Sequence, residues 1–162
     1  MGKNVAYLYQ RIEGIDRVRK AYIMYEDTPV GEIYHEYCSD SGEFDWVIKI
    51  LWDNWDMMER QGKHMDLAGI DSDTRQAEYI RRYDPEFVTQ RVPPKCRNDV
   101  RQLLEDIDLK RYDAFEILCR THGKCGNDDY YVSRTPDKVI DVNRIGFDYD
   151  IPDFDTKEYG WL

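Results

Sequence analysis

Four cysteines and three histidines are the side chains of this 162-residue sequence best suited to metal or nucleophile chemistry. Cys119, His122 and Cys125 follow a C-x-x-H-x-x-C spacing that could bring two thiolates and an imidazole to one zinc ion, with Cys96 or His35 as a fourth ligand. The same residues have a structural reading. Cys119 follows Leu118 in a predicted helix, where a small thiol packs as an apolar group. His122-Gly123 reads as a helix terminus, where an imidazole meets open carbonyls. A second knuckle is missing, so the expectation is a structural role for all three, with no metal and no cofactor.

The other polar clusters are weaker. Asn127-Asp128-Asp129 could be half of a carboxylate site for a hard cation, but adjacent acids without further ligands suit a turn. Asp71-Ser72-Asp73 lacks the Gly and closing Glu of a calcium loop and reads as a helix start. Arg91, Lys95, Arg97 and Arg101 could contact an anion, although Asp99, Glu105 and Asp106 are placed to pair with them along a helix. Phosphate-loop, dinucleotide, zinc-protease and nucleophile-elbow motifs are absent. Asp153-Phe154-Asp155 resembles the kinase D-F-G only until its third residue. The sequence therefore predicts binding, not catalysis.

Charge points the same way. The net charge is −10, and residues 26–59 alone carry ten acidic groups against one basic group. A nucleic-acid binder needs a cationic footprint that this chain lacks, whereas the acidic field favours a basic protein partner. The longest apolar stretch, Trp46 to Trp52, is interrupted by Lys49 and is too short to span a bilayer. Met1-Gly2-Lys3-Asn4 lacks a signal-peptide apolar region, so a cytoplasmic setting and reduced cysteines are expected.

The elements that must position these residues read as an α+β domain. Val5–Tyr9, Ala21–Tyr25, Ile33–Tyr37 and Phe44–Ile50 are rich in aromatic and β-branched residues, with turn residues between them, and predict an N-terminal antiparallel β-meander. Phe44, Trp46, Ile48 and Ile50 alternate onto one face. A small helical half follows. Asp73-x-x-Gln76 has capping-box form and predicts a helix to about Tyr83. Asp84-Pro85 opens a short helix carrying Phe87 and Val88, and Pro93-Pro94 stops it. Val100, Leu103, Leu104 and Ile107 form an amphipathic stripe, predicting that both leucines bury against the face of Trp46 and Ile48. Asp113 caps a third helix that ends at Gly123, and Tyr130–Val132 returns as a strand. One domain over 1–146 and an acidic-aromatic C-terminal tail over 147–162 are expected.

Val30-Gly31-Glu32-Ile33 with Ser41-Gly42-Glu43-Phe44, Val92-Pro93-Pro94, Arg97 to Leu104, Phe115-Glu116-Ile117-Leu118 and Gly123 to Asp128 together resemble the N-terminal subdomain of HipA-type serine/threonine kinases, over about residues 20–133. In that family a kinase lobe follows this segment, whereas the expectation here is an acidic-aromatic tail. The resemblance implies a detached regulatory module that binds and restrains a partner protein, a kinase or a nucleic-acid-binding protein, in a toxin–antitoxin setting.

The expected contacts are acidic residues and tail aromatics: Glu32, Glu36, Asp40, Glu43, Asp45, Asp53, Asp56, Asp148, Asp150, Asp153, Phe154, Asp155, Tyr159 and Trp161. The alternative is a phage-type anti-defence inhibitor, a nucleic-acid mimic such as an anti-CRISPR, that blocks the basic groove of a nuclease. Direct nucleic-acid and membrane contacts are not expected.

Overall fold

The computed structural model describes residues 15–38, 41–125 and 128–137. Three long strands open it: β1 (Ile15–Tyr25), β2 (Thr28–Cys38) and β3 (Glu43–Ile50). Then come α1 (Trp52–Arg60), β4 (Tyr79–Arg81), α2 (Glu86–Thr89), α3 (Val100–Asp106), α4 (Ala114–Arg120) and β5 (Tyr130–Ser133). The strands make one antiparallel sheet in the order β4-β3-β2-β1-β5, so the meander runs to one edge and β5 closes the other. This is an α+β fold with an N-terminal meander. The expected strand over Val5–Tyr9 and the tail over 147–162 lie outside the described residues. No helix among the described residues is long and apolar enough to cross a membrane.

Alternation along the strands sets the layers, because successive side chains point to opposite faces. Ala21, Ile23, Ile33, Trp46, Ile48 and Ile50 join Trp55, Phe87, Val88, Leu103, Ile107, Phe115 and Leu118 in one buried cluster. Phe44, expected on that face, remains 40% exposed at the start of β3. On the other face Met24, Tyr34, Val47 and Tyr131 are buried outside this cluster.

Three sequence expectations need correction. First, residues 73–78 are turn, bend and irregular chain, and 79–81 are the edge strand β4, not a helix. Asp71 turns the chain before the capping box can act: its carboxylate accepts from Asp73 N (2.9 Å) and Thr74 Oγ1 (2.8 Å). Tyr79-Ile80-Arg81 then pairs with Ile48-Val47-Trp46. Second, Pro85 and not Asp84 precedes α2, because the Asp84 carboxylate accepts from Trp46 Nε1 at 2.9 Å instead. Third, α1 was not foreseen. Trp55 and Met58 bury its inner side, and the backbone N–H of Leu51 bonds to Val30 O (2.9 Å) at its entry.

The amphipathic stripe does form α3, with Leu103 and Ile107 buried, but Leu104 is only half-buried at the rim of the core. Asp113 caps α4 as predicted, accepting from Glu116 N at 3.3 Å. At the far end His122 and Gly123 are both left-handed, at φ 57° and 53°. A Cβ on Gly123 would meet Leu118 Cδ1 and Val132 Cγ2 at 2.9 Å, so the close turn from α4 toward β5 requires glycine there.

Candidate functional site

The acidic residues of 26–59 do not form one solvated face. Glu32 and Glu36 are buried on the second face of the sheet. Lys20 reaches Glu32 at 2.5 Å and Tyr34 Oη donates to it at 3.1 Å, which compensates the charge taken from water. Both glutamates, expected as partner contacts, are buried side chains paired across to neighbouring strands of the sheet. Glu43 and Asp45 lie at the start of β3, where Arg82 reaches them at 2.5 and 3.7 Å. Asp53 is exposed in the first turn of α1. Asp56, one turn further, holds Arg75 through two bonds of 3.0 and 2.6 Å while that guanidinium lies over Trp52. Asp40, Asp148, Asp150, Asp153, Phe154, Asp155, Tyr159 and Trp161 lie outside the described residues.

Nor do Cys119, His122 and Cys125 converge on an ion. Cys119 is wholly buried in the apolar cluster, where desolvation pushes its thiol up to about 12. His122 Nδ1 lies 3.2 Å from Val132 O, and the backbone of His122 accepts from Val132 N at 2.7 Å. Among the described residues no three His, Cys, Asp or Glu side chains are placed to hold a metal. The basic cluster is likewise dispersed. Arg91 is buried, donating to Gly123 O (2.8 Å) and to Asp128 (2.5 Å), whereas Arg97 pairs with Asp99 at 2.6 Å on the surface.

Carboxylates do gather elsewhere, in an open cleft of about 960 Å³. It lies where the turn end of β1, the start of β5, the 64–71 loop and α2 meet. Tyr25 and Tyr130 make its floor, edge to face with ring centroids 5.1 Å apart. Tyr130 Oη accepts from the backbone N–H of Asp66 at 3.2 Å and so ties the loop to the sheet. Asp66, Asp71, Glu86, Asp128 and Asp129 line the walls, with His64 at the rim. Asp128 is matched by Arg91, and the Asp71 carboxylate is held below the ordinary range by Thr74 and its own turn. Asp66, Glu86 and Asp129 are exposed. Burial, then the charges of Asp129 and Glu26, push the Tyr25 phenol above its ordinary range. Burial does the same to Tyr130, against the bond from Asp66.

The sequence missed this cleft because four separate segments supply it. Asp128-Asp129 reads in sequence as a turn or as half of a cation site, with nothing to link it to the other acids. Asp66 and Asp71 sit in a stretch of nearly balanced charge, and Glu86 follows a proline in a four-residue helix.

A second concavity, of about 1070 Å³, opens at the opposite end of β1 between the sheet and the 108–113 loop. Its floor is an ion cluster. Arg19 bonds Asp113 at 2.7 Å and donates to His35 Nδ1 at 2.6 Å, and Arg134 bonds the buried Glu116 at 2.6 Å. His35 in turn stacks on Phe44 with centroids 4.6 Å apart.

No protein-family model, curated protein or solved structure matches this chain.

Proposed function

We propose that this chain is a non-catalytic, HipA N-terminal-like module that binds and restrains a basic partner protein, receiving its lysine or arginine side chains in the acidic cleft. The observation that carries this reading is the cleft itself. Three exposed carboxylates, Asp66, Glu86 and Asp129, surround a floor of two tyrosine rings. A cationic side chain entering there gains charge pairing from the walls. The motifs shared with the HipA-type N-terminal subdomain support a regulatory role in a cytoplasmic toxin–antitoxin setting. The absence of catalytic motifs from the sequence is consistent with binding as the activity.

The test is a three-site variant, Asp66→Asn, Glu86→Gln and Asp129→Asn, titrated against a fluorescent arginine-rich peptide. Loss of binding with an unchanged melting temperature supports the cleft as the contact site. Equal binding by the variant removes it. The nucleic-acid mimic has less support, since Glu32 and Glu36 are buried and Glu43, Asp45 and Asp56 are already matched by arginines.

A further inference from the structure

We propose that the second concavity is a separate docking site for an acidic peptide segment that carries an aromatic anchor, contributed by a partner protein. Its wall on the sheet side is aromatic. Phe44, 40% exposed, stacks on His35 and lies 4.9 Å from the Tyr37 ring, leaving its outer surface open to the hollow. An exposed ring held in place by two others presents apolar area at little further entropic cost, which is how aromatic anchors are received at interfaces.

The charge of the hollow decides what accompanies the anchor. Its inner carboxylates are already engaged: Asp113 by Arg19, and Glu116 by Arg134 at 2.6 Å, with Arg120 Nε 3.6 Å away. On the opposite rim Lys110 and Arg111 are exposed and form no ion pair among the described residues, and Asp108 beside them forms none there either. The charge left to meet a ligand is therefore cationic on balance, although the protein as a whole is acidic. Aspartates flanking an aromatic residue would reach Lys110 and Arg111 while the ring rests against Phe44 and Tyr37.

This site is distinct from the acidic cleft. Arg19 lines one and Tyr25 the other, six residues apart along β1, or about 20 Å. The two surfaces take ligands of opposite charge, so each can fail alone.

The full chain is titrated with a fluorescein-labelled nonapeptide alternating aspartate with phenylalanine. Saturable binding is expected, weakened about tenfold by Lys110→Glu with Arg111→Glu, and by about the same factor in Phe44→Ala. The cleft variant should bind this peptide normally. No saturation at millimolar peptide, or equal binding by the Lys110→Glu, Arg111→Glu variant, overturns the proposal. So does equal binding of a serine–phenylalanine peptide, which makes the hollow merely apolar, or tighter binding of a lysine–phenylalanine peptide by the variant that lacks the three cleft carboxylates.

Discussion

Arg19 and Asp113 are 94 residues apart in sequence, yet Arg19 Nη1 donates to Asp113 Oδ2 at 2.7 Å. The same aspartate caps α4 through its other oxygen, so one carboxylate both starts the helix and fixes it to β1. Burial alone would raise the Asp113 carboxyl, but the bond and charge of Arg19, with the Glu116 N–H, outweigh it and hold the group below its ordinary value of 3.8.

A depressed folded-state value stabilises the fold wherever the carboxylate is ionised. That contribution is complete above the ordinary value of 3.8 and disappears as the pH falls through the lower folded value. Asp113→Asn should therefore lower the melting temperature at pH 7 and flatten the acid limb of the stability curve below about pH 4. A variant whose acid limb matches that of the parent would show that another group carries the dependence.

Leu103 is 8% exposed and belongs to the main cluster, whereas Leu104 sits at its rim. Leu103→Ala should cost about 2–5 kcal/mol in chemical denaturation, and Leu104→Ala distinctly less. Equal losses would mean that α3 presents a different face to the core.

Cys119 lies in the core with its thiol pushed up to about 12, while Cys96 is exposed. A thiolate-directed reagent at pH 8 should label Cys96 in the native protein and Cys119 only after unfolding. A chelator should leave the melting temperature unchanged, because structural zinc is coupled to folding and its removal would lower it. Native labelling of Cys119 at the rate of Cys96 would contradict its placement.

Much of this architecture was legible in the sequence, for local reasons. Period-two aromatics mark β1 to β3, the stripe through Leu103 and Ile107 marks α3, and Asp113 is a side-chain cap. The failures come from competition between local signals or from distance. Trp52, Trp55 and Met58 continue the apolar run of β3, which hid the change of period that starts α1. Asp71 outcompeted the capping box at Asp73 by bonding the two residues that follow Ser72. Glu32 looked like a surface acid because Lys20, its partner, comes from the neighbouring strand. The cleft was least legible of all: Asp66, Glu86 and Asp129 become neighbours only when loop, helix and sheet end are packed together.

Binding of a basic ligand in that cleft is the central claim, and its salt dependence is the most direct measurement. The affinity of an arginine-rich peptide should fall steeply as salt rises, because exposed charges are screened over a Debye length of about 8 Å at physiological ionic strength. With Asp66→Asn, Glu86→Gln and Asp129→Asn combined, affinity at low salt should drop about tenfold or more and the salt slope should flatten, while the melting temperature holds. An unchanged affinity and slope in that variant would contradict the account.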